Sequence, residues 1–206
     1  MKTKLPLIVV AVIALSNATA WAEKPNEETM KRGTKMAAEV CSVCHGPAGR
    51  SENNRFPKLA GQQAEYLENQ LRNFKGHIRA EPDAHDFMWG VAALLDDELI
   101  SGLAHYFQAQ APSSGKPGDA SLAATGKDIF RNGIPSRGVT ACATCHGSNG
   151  SGNGAFPRLA GQHPEYLLKQ LQLIQGAVRD VPAMHGVVKD LKPEEMEALA
   201  AYLHSI

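Results

Sequence analysis

Residues 56–71 read FPKLAGQQAEYLENQL and residues 156–171 read FPRLAGQHPEYLLKQL, and eleven of the sixteen positions are identical at a constant offset of 100. A match of that length inside a single chain marks an internal duplication, so whatever one copy does the other is expected to do as well. Moving outward from the match, Cys41-Ser42-Val43-Cys44-His45 precedes the first copy and Cys142-Ala143-Thr144-Cys145-His146 precedes the second. Further on, Met88-Trp89-Gly90-Val91 corresponds to Met184-His185-Gly186-Val187. Leu103, Ala104 and Tyr106 correspond to Leu199, Ala200 and Tyr202. The order of features is the same in both halves. This predicts two domains, 23–110 and 119–206, separated by a linker at 111–118, where Ala111-Pro112-Ser113-Ser114-Gly115-Lys116-Pro117-Gly118 has no apolar periodicity.

The periodicity inside each half is helical. Tyr66, Leu67, Leu71 and Phe74 recur at helical spacing, as do Tyr166, Leu167, Leu171 and Ile174. Pro164 suits a first helical turn, and Gly76 and Gly176 are placed to end the two helices. Each half closes with another amphipathic stretch: Leu99, Ile100, Leu103 and Phe107 in one, Met196, Leu199 and Leu203 in the other, with Pro193 near its start. A helix is also predicted ahead of each cysteine motif, near 27–39 and 119–131. Alternating patterns typical of strands are scarce. The fold class is therefore all-α, a tandem duplication of a small domain with about three main helices and long loops per lobe. Lobes of this size are thin on core material, and a large flat apolar cofactor would supply much of the missing interior.

The first 22 residues stand apart. Lys2 and Lys4 precede an apolar run from Leu5 to Leu15 broken only by Pro6, and small residues follow at Ala18, Ala20 and Ala22. This is the layout of a secretory signal peptide cleaved after Ala20 or Ala22, and its apolar run is too short to span a bilayer comfortably. Export to the periplasm is the expectation. Without the leader, 19 Lys and Arg face 21 Asp and Glu. Such a balance offers no basic surplus for nucleic acid. Loose peripheral association with a membrane face stays open.

All four cysteines fall in the two Cys-x-x-Cys-His motifs. That pattern is the attachment signature of c-type haem: two thiols add to the porphyrin vinyl groups, and the adjacent imidazole reaches the iron. Cys41, Cys44 and His45 are assigned to one covalently bound haem c, and Cys142, Cys145 and His146 to a second. A shared zinc site is disfavoured because a whole repeat separates the pairs. A thioredoxin-like pair would need a βαβ context. Simple disulfides are the remaining alternative for an exported chain, and the histidine after both pairs argues against them. For the other face of each iron, Met88 and Met184 are the matched candidates, at corresponding places in segments read as irregular. Met30 and Met36 have no second-half counterpart, and Met196 lies in an apolar stripe, so these three read as packing residues. The rivals His77, His85, His163 and His185 recur at no equivalent position. Thioether ligation would close both irons and raise their potentials.

Other repeated residues suggest supporting roles. The Pro57 and Pro157 carbonyls are candidates to accept the imidazole N–H of the proximal histidines, with turn geometry as the alternative. Arg79 and Arg179 are candidates for pairing with haem propionates, or are solvated surface residues. Gln62 and Gln162 are expected to cap the helices that follow. Lobe one has four extra residues before its methionine, around Glu81-Pro82-Asp83-Ala84, which predicts unequal potentials.

Both Cys-x-x-Cys-His motifs, both Phe-Pro-[Lys/Arg]-Leu-Ala-Gly-Gln segments and the two late methionines resemble the dihaem cytochromes c of the c4 type, over essentially the whole mature chain. The resemblance implies two class I cytochrome c domains packed about a pseudo-twofold axis with their haem propionate edges close. It also implies a periplasmic electron carrier, not an enzyme, working between redox protein partners such as respiratory complexes and delivering to a terminal oxidase. Two other readings remain. One is the dihaem subunit of a larger oxidoreductase such as a flavocytochrome sulfide dehydrogenase. The other is a peroxidase-like haem enzyme with an open iron, which the matched methionines disfavour.

Overall fold

The computed structural model describes residues 25–206, so the leader expected at 1–22 lies outside the described residues. Among the described residues the fold is helical, with two isolated antiparallel bridges, Ile134 to Val139 and Asn153 to Phe156. Lobe one begins with α1 (Glu27–Met36), which widens into a π turn at Ala37–Cys41 and runs on into the short α2 (Ser42–His45). After a long loop come α3 (Ala64–Lys75), a second π turn at Ala84–Met88, α4 (Trp89–Ala92) and α5 (Asp97–Gln108). Lobe two repeats the plan with α6 (Ala120–Asn132), α7 (Ala143–His146), α8 (Pro164–Gln175), α9 (Pro182–Val188) and α10 (Pro193–Ser205).

Local chemistry sets the helix boundaries. The Asn26 side chain accepts the Thr29 N–H at 2.9 Å, Asp96 that of Leu99 at 2.7 Å and Asp119 that of Leu122 at 2.8 Å. Each satisfies a donor that the first turn leaves unpaired. Proline opens α8, α9 and α10, where its missing N–H costs nothing. Gly76 and Gly176 do follow the last residues of α3 and α8, but their φ angles, −84° and −79°, lie in the ordinary range. The left-handed turn is made one residue later, by His77 (φ 56°) and Ala177 (φ 54°).

In each lobe the first and last helices cross at very short range. Gly33 on α1 lies on Gly102 of α5, and a Cβ there would sit 2.4 Å from the Gly102 carbonyl carbon. Gly126 on α6 lies on α10, where a Cβ would be 1.9 Å from the Ala198 carbonyl oxygen. The third main helix packs alongside, α3 on α5 and α8 on α10. Lobe two encloses one apolar cluster, which includes Phe130, Leu167, Val188, Met196, Leu199 and Leu203. The interior of lobe one is split into two clusters. Leu67, Leu95, Ile100, Leu103 and Phe107 form one, with Met36 and Cys41 packed on it. Phe74, Ala84 and Ala92 form the other, with Met88 and Trp89 at its margin. Met36 and Met196 are thus packing residues, as expected.

The segment 111–118 is irregular yet held against both lobes. The Lys116 N–H donates to the His204 carbonyl at 3.0 Å. A Cβ at Gly61 would meet Pro112 at 2.8 Å, and one at Gly161 would meet the Ser113 carbonyl oxygen at 2.4 Å. Both glycines have left-handed φ, 68° and 74°. The Ala-Gly-Gln of the repeated motif therefore needs glycine twice over, for the turn and for the linker lying on it.

Candidate haem sites and their relatives

Each cysteine motif ends in a buried histidine, His45 at 8 % exposure and His146 at 4 %. Nδ1 of His45 lies 2.8 Å from the Pro57 carbonyl oxygen, and Nδ1 of His146 lies 3.0 Å from that of Pro157. A carbonyl only accepts, so in both rings Nδ1 carries the hydrogen and Nε2 the lone pair. Burial holds both imidazoles below the usual histidine range, against the opposing pull of the carbonyl, and so keeps them neutral. In His146 that Nε2 is buried without a hydrogen-bond partner. A buried, neutral, fixed and unpartnered imidazole nitrogen is a metal-ligand donor waiting for an acid.

The four thiols are unbridged. Burial pushes Cys41 and Cys142 up to about 11, so before haem attachment both are neutral thiols. Met88 is half-buried at the end of its π turn, among Phe74, Ala84, Ala92 and Trp89. Met184 is half-buried in α9 against the lobe-two core, the cluster that also carries Cys142. Both segments, read from sequence as irregular, are helical turns. In lobe one Cys41 and Met88 sit on separate apolar clusters, whereas in lobe two Cys142 and Met184 sit on one. The donors present, two thiols, one imidazole and one thioether per lobe, fit a covalently attached haem.

Two of the rival histidines, His77 and His85, are exposed. His85 is exposed and pairs with Asp86 at 2.9 Å. His77 is exposed and stacks on Trp89 with centroids 3.9 Å apart. His185 contacts the Ile174 carbonyl at 3.0 Å. His163 is buried in lobe two beside Lys58 of the other lobe, and its Nε2, like that of His146, has no hydrogen-bond partner.

The two lobes meet through the repeated motif itself. Gln62 and Gln162, expected as helix caps, do not cap: the N-caps of α3 and α8 are Gln63 and His163, without a side-chain cap bond, and each glutamine accepts the N–H of that residue, at 3.0 and 3.1 Å. Their larger role is across the interface. Gln162 Oε1 accepts the Lys58 N–H at 2.9 Å while its Nε2 donates to the Lys58 carbonyl at 3.0 Å. Gln62 does the same to Arg158, at 2.6 and 2.9 Å. This pair of clasps obeys a local twofold axis.

A second shared network lies between α3 and α8. Arg79 and Arg179 are 8 % and 7 % exposed, so the solvated alternative is overturned. Arg79 donates to Glu81 through Nε at 2.8 Å and again through Nη2, and to Gln70 at 3.0 Å. Arg179 donates to Gln170 and Gln70 at 2.5 and 3.0 Å and to the Tyr66 hydroxyl at 3.1 Å. Its Nε is buried without a partner. That guanidinium therefore keeps a donor for an acidic group such as a propionate, whereas Arg79 already has the carboxylate of Glu81, which is 1 % exposed and has Val181 as its counterpart in lobe two. The two tyrosines here diverge as well. Burial raises Tyr166, while at Tyr66 the same burial is outweighed by Arg179 and Arg79, which pull it below its ordinary value. Sequence reading took Tyr66 and Tyr166 for apolar stripe residues and passed over Gln70 and Gln170; their recurrence at offset 100 was the available signal.

Helical lobes built on Cys-x-x-Cys-His with a clamped proximal imidazole define a c-type cytochrome, and the chain belongs to the cytochrome c family, whose profile matches residues 30–110 and 123–206. With two such domains it is a dihaem electron-transfer protein of the cytochrome c4 type, carrying two covalent haem c groups. It is 41 % identical to cytochrome c-552 of Acidithiobacillus ferridurans over 81 % of this chain and 73 % of that one. It is 35 % identical to cytochrome c4 of Stutzerimonas stutzeri over 97 % and 98 %. The solved cytochrome c4 of Acidithiobacillus ferrooxidans superposes with a TM-score of 0.77 at 40 % identity, covering 81 % of this chain and 98 % of that chain. A thiosulfate dehydrogenase electron acceptor of Thiomonas intermedia is 29 % identical over 98 % of this chain and 90 % of its own length.

Proposed function

We propose that this dihaem carrier works in the periplasm after removal of its leader, moving electrons along a respiratory chain to a terminal oxidase, with His45 and Met88 ligating one iron and His146 and Met184 the other. The observation that carries the ligation is the pair of imidazoles committed through Nδ1 to the Pro57 and Pro157 carbonyls, which leaves each Nε2 free to bind. When bound, each haem supplies a one-electron couple. The chain's own part would be to fix the histidine tautomers and to offer one thioether to each haem. Methionine favours a high potential, which suits delivery to an oxidase. Among the described residues no helix is long and apolar enough to cross a membrane.

A second reading concerns the donor. The similarity to the Thiomonas intermedia electron acceptor, over nearly the whole of both chains, favours a thiosulfate dehydrogenase as the protein that loads electrons. The two readings are compatible, one naming the source and the other the sink.

Met88→Ala and Met184→Ala should each remove the red-region methionine–iron charge-transfer band of one haem, and an unchanged band would reject that ligand. Rapid mixing with a purified terminal oxidase and with a thiosulfate dehydrogenase tests the partners. Oxidation by the first that is no faster than in bulk buffer would reject the delivery role.

A further inference from the structure

The Pro57 carbonyl and the Lys58 N–H belong to the same peptide group. That one group accepts the His45 Nδ1 hydrogen at 2.8 Å and donates to Gln162 Oε1 of the other lobe at 2.9 Å. The matching group between Pro157 and Arg158 accepts from His146 at 3.0 Å and donates to Gln62 of the first lobe at 2.6 Å. We propose that Gln62 and Gln162 are positioning residues wired in the crossed sense: each tunes the proximal histidine, and hence the reduction potential, of the lobe to which it does not belong. This rests on the assignment of His45 and His146 as iron ligands.

The chain of cause is short. A peptide whose N–H donates is polarised and becomes a better acceptor at its carbonyl. A better acceptor draws the Nδ1 hydrogen and puts electron density on Nε2, making the imidazole a stronger base toward iron. A stronger base stabilises the oxidised metal more than the reduced one. Each cross-lobe glutamine therefore lowers the opposite potential. Both amides are 6 % exposed, so water does not replace them. Each is held at its other end by the bond from Nε2 to the Lys58 or Arg158 carbonyl, which fixes its orientation. The clasp also means that lobe docking and ligand strength are one variable. Any partner that loosened the interface would raise both potentials.

The test uses the full-length dihaem protein with Gln162→Met and, separately, Gln62→Met, which keep side-chain length and remove the acceptor. Potentials come from spectroelectrochemical titration, with the two waves assigned through Met88→Ala and Met184→Ala. Q162M should favour reduction of the His45 haem about threefold, roughly 28 mV at 59 mV per decade, the size expected when one link of a hydrogen-bond chain weakens the next. The His146 haem should move much less, and Q62M should show the reverse pattern. The proton resonance of the corresponding histidine Nδ1–H should shift with the potential. Gln162→Glu, a stronger acceptor at the same place, should move the same haem in the opposite direction, and serves as well if the methionine variant folds poorly. Equal shifts at both haems, a shift confined to the mutated lobe, or no shift would overturn the crossed assignment. Absence of iron-shifted histidine resonances from the unmutated protein would instead refute the ligation on which it rests.

Discussion

Replacing Gly126 by alanine puts one methyl group where α6 crosses α10. The new Cβ would lie 1.9 Å from the Ala198 carbonyl oxygen and 2.4 Å from its carbonyl carbon, whereas real Cβ atoms essentially never come closer than 3.0 Å. The obstacle is main chain inside a helix. It cannot rotate aside, so the helices must part by about 1 Å in a tightly packed interior. Overpacking of this kind costs about 1–3 kcal/mol, and a backbone obstacle places it at the upper end. Alanine returns about 1 kcal/mol of helix propensity. The net is a loss of about 2 kcal/mol, which for a lobe of this size lowers Tm by about 8–16 °C. Far-UV circular dichroism melts of the holoprotein measure it. Gly33→Ala and Gly102→Ala, each 2.4 Å from the opposing backbone, should be milder than G126A. An unchanged or raised Tm for G126A would refute the claim that these crossings depend on the missing side chain.

Glu81→Leu strands a buried guanidinium, and breaking a buried pair from one side costs about 3–5 kcal/mol. Urea unfolding should show a loss of that order in E81L and recovery of much of it in Arg79→Met/Glu81→Leu; if the double variant is no better than E81L, the pair is not what fails. His163 contributes a pH dependence. Burial, then Lys58, lowers its folded pKa below the ordinary 6.5, against smaller opposing pulls from the Ser51 backbone and then Glu165. Its contribution is complete above about pH 6.5 and falls as pH drops below that toward the folded value, because the unfolded chain then binds the extra proton. His163→Gln should flatten the stability curve over that acidic window in parallel melts, and an unaltered slope would assign it to other groups.

The features legible in the sequence are those whose meaning is local. Cys-x-x-Cys-His states its chemistry within five residues, and the stripes Leu67–Leu71–Phe74 and Leu99–Leu103–Phe107 announce their helices without reference to anything distant. The Pro57 and Pro157 contacts were within reach because they join a motif to a loop about a dozen residues on. What escaped depends on the docking of one lobe on the other. Gln62 reads as a helix cap from its neighbours alone, and only the partner lobe reveals that its amide spans Arg158. Arg79 and Arg179 look equivalent until Glu81 is seen beside one of them. The methionine segments read as irregular from the sequence, yet Pro182 opens α9 and Met88 ends a π turn.

The reciprocal clasp of Gln62 and Gln162 has a consequence for ancestry. Each half offers the same patch to the other, residue i meeting residue j and j meeting i, which is the isologous contact of a twofold homodimer. A single ancestral lobe carrying Phe-Pro-x-Leu-Ala-Gly-Gln already held both sides of this bond set, so it could pair with its own copy before any fusion. Joining the copies through 111–118 turned a concentration-dependent association into an intramolecular one. Once the pairing no longer depended on identity, the halves were free to diverge. Glu81, present in one lobe and replaced by Val181 in the other, is a mark of that freedom: a symmetric dimer cannot place a charge on one side only, and a fused one can.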